Sequence, residues 1–206
     1  MSVEIERRVA EYYAEKLRAH GATHRGVDWS TPESHMLRHE QFLRILRPGD
    51  SVLDYGCGYG SLGEYLEAGG LPLRYQGYDV ASEMVAAARE RHAARRDWRF
   101  TSERDELEPA DVAIASGIFN VKVDTPAERW CEYTLGTIRD MAALARRGLG
   151  FNMLTSYSDT DRMEDRLYYG DPRFYFDWCK RNLSRHVALL HDYGLFEFTI
   201  LVRFDA

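Results

Sequence analysis

Residues 52–60, VLDYGCGYG, leave this chain few folds to choose from. A short apolar strand runs into three alternating glycines, Gly56, Gly58 and Gly60, and a helical segment follows. Glycine admits positive φ and lets a ligand approach the backbone with no Cβ in the way. A turn at the carboxyl end of a strand is where open α/β sheets bind ligands. Asp54 sits inside the strand end, just before the glycines. A second acid, Asp79, closes the next strand in Gly77-Tyr78-Asp79-Val80, about 25 residues on, near the spacing of a carboxylate that grips ribose hydroxyls. Gly58-x-Gly60-x-x-Gly63 also matches the dinucleotide fingerprint, which keeps an NAD-dependent oxidoreductase as an alternative. Against it, an anion at Asp54 suits an ammonium group better than a pyrophosphate. The plainer reading is a tight turn, with Asp79 capping the helix at 82.

The rest of the chain alternates in the same way. Strands are predicted over 51–55, 74–80, 98–102, 111–116, 148–154, 186–193 and 196–204. Helices are predicted over 3–19, 33–46, 60–68, 82–95, 126–146 and about 171–184, with a loop over 20–32. Strands alternating with helices imply a three-layer, doubly wound α/β fold around a mostly parallel sheet of about seven strands. The last two strands are joined at Gly194-Leu195, too short for a parallel crossover, so they form an antiparallel hairpin.

With 206 residues, 45% of them hydrophobic, the chain suffices for one domain: a helical cap over 1–47 and a Rossmann-like core over 48–206. A net charge of −6 argues against nucleic acid as partner. The arginine-rich stretch 89–99 is interleaved with Glu90 and Asp97, and reads as a solvated helix face. The three cysteines show no paired spacing, which fits a reducing, cytoplasmic setting. No run approaches the roughly 20 apolar residues of a membrane helix, and the first residues lack a signal-peptide core. No metal is expected: there is no HExxH or paired-Cys pattern, and Asp159 and Asp161 read as a solvated loop.

VLDYGCGYGSLGEYL resembles motif I of the class I S-adenosylmethionine (SAM)-dependent methyltransferases, and YQGYDVASEMVAAAR resembles the segment that follows it. The resemblance runs from about residue 25 to the end. It implies that Gly56, Gly58 and Gly60 approach the amino-acid part of SAM, with Asp54 near its ammonium. It implies Asp79 on the ribose, Val80 and Met84 along the adenine, and Glu103 or Asp105 facing the adenine amine. ASGIFNV, FNMLTSYSD, YYGDP and LLHDYGLFEFTILVR further resemble a bacterial and archaeal branch of small methyltransferases. The terminal hairpin fits the family. The implied product is S-adenosylhomocysteine (SAH). The residues Ser116-Gly117-Ile118-Phe119-Asn120 depart from the Asp/Asn-Pro-Pro-aromatic element of nucleic-acid amino-methyltransferases, which argues against a base or a glutamine amide; the leading expectation is a small-molecule acceptor, methylated on O or N, with a macromolecular one still open.

On the acceptor side, Asn120, Asn152 and the group His191, Asp192 and Tyr193 fall at strand ends on the same sheet edge. Ser116 and Gly117 precede Asn120 there. His191 is the candidate base, with Asp192 beside it and Tyr193 and Asn120 as further catalytic candidates; the competing reading is a structural hydrogen bond. Arg25 and Trp29 belong to a segment that either folds over the cofactor or simply packs on the sheet. In the first case Trp29 shields the sulfonium and Arg25 pairs with the cofactor carboxylate. A non-catalytic SAM-binding module is a further alternative, and monomer and homodimer both fit.

Overall fold

The computed structural model describes residues 2–71 and 74–204. Its centre is a seven-stranded sheet in the order β3-β2-β1-β4-β5-β7-β6. The strands are β1 (Ser51–Tyr55), β2 (Arg74–Tyr78), β3 (Trp98–Thr101), β4 (Ala110–Ala115), β5 (Ala145–Leu154), β6 (His186–Leu190) and β7 (Glu197–Arg203). All neighbouring pairs are parallel except the two made by β7, which runs antiparallel to both β5 and β6. The helices are α1 (Ser2–His20), α2 (Pro32–Gln41), α3 (Ser61–Ala68), α4 (Ser82–Arg91), α5 (Ala127–Leu144) and α6 (Pro172–Asn182). No described helix is long and apolar enough to cross a membrane.

Strand periodicity sorts the core into two layers. Side chains on a strand alternate between faces. Leu53 and Tyr55 of β1, Ala113 and Ala115 of β4, and Phe151 and Met153 of β5 join Ile138, Met141 and Tyr175 of α5 and α6. Val52 of β1 and Val112 and Ile114 of β4 join Leu62, Leu66, Val85 and Phe42 on the other face. Each large side chain so buried contributes about 1.5–3 kcal/mol. Asp54 has the parity of Val52, so an acid stands where the pattern asks for an apolar residue.

Several elements end earlier than their sequence patterns suggest. The second helix closes at Gln41 and continues as a 3-10 turn over Phe42–Arg44. The helix predicted to 95 ends at Arg91, where the His92 side chain turns inward and meets the Tyr59 carbonyl at 3.0 Å. The sixth strand stops at Leu190, not at Tyr193. Its last pairing is Leu190 with Thr199. Tyr193 then folds back so that its hydroxyl meets that of Thr199 at 3.0 Å, and residues 191–196 form a wider connection than a tight turn.

Candidate functional site

The loop after β1 is fixed by its neighbour strand. The backbone N–H groups of Gly56 and Cys57 both donate to the Tyr78 carbonyl, at 2.6 and 2.9 Å. Gly56, Gly58 and Gly60 all take positive φ, at 86°, 52° and 87°. At Gly60 a Cβ would also stand 2.7 Å from the His92 ring, so both conformation and space require glycine. The loop then enters α3 through Ser61.

The β1 and β2 strands pair in parallel with Tyr55 opposite Tyr78, which brings Asp54 and Asp79 to one edge. Asp79 clasps the loop: one oxygen accepts the Gly58 N–H at 2.8 Å and the other the Ala81 N–H at 2.9 Å. Asp54 accepts a hydrogen bond from the Tyr75 hydroxyl. Neither acid has a cation partner among the described residues. Burial raises the Asp54 carboxyl to about 7, partly countered by Tyr75 and reinforced by Asp79. Burial also raises Asp79 to about 6, against the pull of its two backbone donors. Uncompensated burial of this kind disfavours the charged form.

Asp54, Asp79, the glycine loop, Met84, Ser116 and Gly117 line one narrow cavity of about 50 Å³. The N-terminal segment forms its roof. Trp29 lies on Gly117, where a Cβ would come within 2.2 Å of the indole, and Val27 lies on Gly58. On the far side, His35 of α2 meets the Ser61 hydroxyl at 3.1 Å and His39 approaches it at 3.4 Å. Burial drops the His35 ring to about 4, and pushes His39 well below the usual range. The Ser116 hydroxyl is buried without a partner. Asn152 holds the Gly117 N–H at 2.6 Å and leaves its own amide nitrogen unpartnered. Two acids without a cation, an orphaned hydroxyl and a side-chain-free loop fit the hydroxyls and ammonium of an amino-acid-linked nucleoside.

A second cavity, of about 410 Å³, shares Tyr13, Val27 and Trp29 with the first as a common wall. Its floor holds Asn120 and a buried pair in which both Glu197 oxygens accept from Arg38, at 2.6 and 2.7 Å. The Arg38 guanidinium also stacks on Trp29, 3.8 Å from the ring centre. Asp28 forms another side, in a left-handed conformation (φ 63°). It accepts from Lys16 and Tyr12, each at 2.6 Å, and from Arg166 at 2.8 Å. Burial pushes the Asp28 carboxyl up, but these donors outweigh it and hold it below the usual range.

Of the residues singled out from sequence, Asp54, Gly56, Gly58, Asp79, Met84, Ser116, Gly117 and Trp29 all line the first cavity. Gly60 shapes the loop beneath it. Val80, expected along the adenine, does not line that cavity; it is half-buried and packs against the core. Glu103 does not converge: it is exposed, with its N–H tied to the Thr101 hydroxyl. Arg25, expected at the cofactor, lines the second cavity instead, together with Asn120. Asn120 spends its side-chain oxygen on the Leu154 N–H at 2.9 Å. His191 and Tyr193 line neither cavity. With β6 ending at Leu190, His191 is exposed against Tyr157, and Tyr193 is turned toward Thr199. His39, Ser61, Glu197 and Arg166 escaped the sequence reading. The i, i+4 spacing of His35 and His39 was the one local signal available.

A sheet of this order, with a glycine loop and two strand-end carboxylates around one cavity, defines the class I methyltransferase fold. The match to a family model, "Methyltransferase domain", covers residues 53–147. A Mycobacterium tuberculosis protein named "Putative methyltransferase Rv1506c" is 49% identical over 163 residues, which is 78% of this chain and 98% of that protein. The chain belongs to the methyltransferase family. That membership sets aside the nicotinamide alternative. Among solved structures, the N-methyltransferase NodS from Bradyrhizobium japonicum, in complex with SAH, superposes with a TM-score of 0.67 at 15% identity, covering 95% of this chain and 97% of that one. The pyocyanin biosynthetic protein PhzM gives 0.62 at 15% identity, over 93% of this chain and 61% of that one.

Proposed function

We propose that the chain is a SAM-dependent methyltransferase whose cofactor occupies the first cavity and whose small-molecule acceptor occupies the second. The observation that carries this reading is the meeting of Asp54, Asp79 and the glycine loop around one cavity. Asp79 has lone pairs left on both oxygens after holding Gly58 and Ala81, and these accept the ribose hydroxyls. Asp54, buried with no cation beside it, receives the ammonium. Met84 packs along the adenine, and the Ser116 hydroxyl gains the partner it lacks. The cofactor supplies an electrophilic methyl group for in-line displacement. The protein's task is alignment: Trp29, Val27 and Tyr13 stand between the two cavities and set the line of approach. Asn120 and the Arg38–Glu197 pair fix the floor under the acceptor. His35 and His39 stay neutral at neutral pH, so the first cavity presents no second cation to repel a sulfonium.

Calorimetric titration with SAH tests this reading. The wild-type protein should bind, and Asp79→Ala should bind about 100-fold more weakly, the loss of two charge-assisted hydrogen bonds. Asp79→Asn, checked for a native melting curve, guards against simple misfolding. Absence of SAH binding to the wild type would sink the proposal. SAH binding without transfer of a labelled methyl group to any component of a metabolite extract would favour a binding module over an enzyme.

A further inference from the structure

The charges around the second cavity do not balance, and the imbalance has one sign. Each acid on its lining is already committed. Both Glu197 oxygens are taken by Arg38. One Asp28 oxygen is taken by Lys16, and the other is shared by Tyr12 and Arg166. Glu164 accepts from Arg166 Nε at 2.8 Å. Arg25 lines the same cavity, is exposed, and pairs with no acid among the described residues. A cationic acceptor would find each carboxylate already paired with a cation, whereas an anionic one meets a cation with no counter-charge.

We infer that the methyl acceptor carries an oxyanion, a carboxylate or a phosphate, which Arg25 receives at the mouth of the second cavity. The inference rests on the placing of the acceptor proposed above. A guanidinium presents parallel N–H donors that match either oxyanion, so Arg25 selects the shared chemistry and not one of the two. Its place in the short turn His24–Val27, next to Val27 and Asp28 on the common wall, couples that end of the acceptor to the partition facing the cofactor. Oxyanion binding at Arg25 thereby steadies the segment that separates the cavities.

Titration of inorganic phosphate and, separately, malonate into the SAH-loaded protein tests this, with choline as the cationic contrast. At least one oxyanion should bind, and choline should not. Arg25→Gln should weaken that binding about tenfold or more, and Arg25→Lys should recover part of it, while the SAH affinity of both variants stays that of wild type. The stronger of the two probes distinguishes a phosphate-bearing from a carboxylate-bearing acceptor. Oxyanion binding unaffected by Arg25→Gln, no oxyanion binding at all, or preferential binding of choline would each overturn the inference. Failure of SAH itself to bind would instead strike the cofactor assignment, so the two failures are read separately.

Discussion

The two cavities that meet at Trp29 hold carboxylates of opposite behaviour, one fully buried and one half-buried. Asp54 is 2% exposed and is raised to about 7, while Asp28 is held below its usual range although burial pushes it up. Depth accounts for part of the difference; the company each keeps accounts for the rest. Asp28 has Lys16, Arg166 and Tyr12; Asp54 has one phenol. A buried acid left without a cation is the mark of a site that receives its counter-charge from outside. A buried acid supplied with cations is part of the scaffold. The first cavity is therefore electrostatically unfinished, and the second is largely finished, save for Arg25.

The sharpest way to break this comparison is to remove one acid from each side. Glu197 is 1% exposed and clamps Arg38. Glu197→Gln leaves a buried guanidinium uncompensated and should cost about 3–5 kcal/mol in urea unfolding. Asp54→Asn removes a charge that had no partner, and at pH 8 should leave stability unchanged or raise it. Equal losses for the two variants would erase the distinction.

The same contrast has a pH signature of the next magnitude. In the native state Asp54 titrates near 7, against an ordinary value of 3.8. The native protein thus holds this proton more tightly than the unfolded chain does. The stabilising contribution is complete below about pH 4 and is lost as pH rises through about 7. Compared with Asp54→Asn, the wild type should lose stability on the order of a few kcal/mol between pH 4 and 8. The shift of Asp79, common to both proteins, largely cancels in that difference. An ammonium-bearing ligand reverses the trend, because it favours the ionised acid. SAH should bind about tenfold more tightly at pH 8 than at pH 6. A flat difference curve would mean that Asp54 already has a counter-charge.

How far the sequence was legible follows the same division. The first cavity is written in consecutive residues: a strand, a glycine turn and a strand-end acid are local patterns, and β1 and β2 pair where the alternation puts them. The second cavity is assembled from α1, α2, the turn at 24–27, the loop at 164–167 and the start of β7. The partnership of Arg38 with Glu197 spans 159 residues and leaves no local trace. The structure puts His191 outside both cavities for a related reason. The apolar run HVALL continues into a polar tail that reads equally well as strand or connection. The β6 ladder ends at Leu190 opposite Thr199, and Tyr193 then turns its hydroxyl to the Thr199 hydroxyl in place of extending the strand.

The smallest expected effect concerns what holds the roof. The α1 helix docks through few buried side chains, Ile5 and Ala14 among them, at 5% and 4% exposure. Exposed ion pairs add to this: Arg104–Glu6 at 2.7 Å, Arg8–Asp124 at 2.6 Å and Arg18–Glu83 at 3.7 Å. Each such pair contributes about 0.2–1 kcal/mol and is weakened by salt. Screening lengths shrink from about 10 Å at 0.1 M to about 3 Å at 1 M. The central strands depend mainly on apolar burial, and their ion pairs, Arg147–Asp50 and Arg74–Asp111, sit near the strand starts. Raising salt over that range should therefore increase amide exchange in α1 a few-fold, with β4 and β5 unchanged. The change matters for function because a cavity of about 50 Å³ is far below the roughly 300 Å³ or more of a small-ligand site. With the cofactor placed as proposed, Val27 and Trp29 move aside before a nucleoside enters; Val27 ends the turn His24–Val27 that follows α1, and Trp29 lies two residues on. If looser docking of α1 leaves the SAH association rate unchanged, the roof opens by a movement of the 24–31 segment alone. If the rate rises with exchange, α1 and the segment move as one.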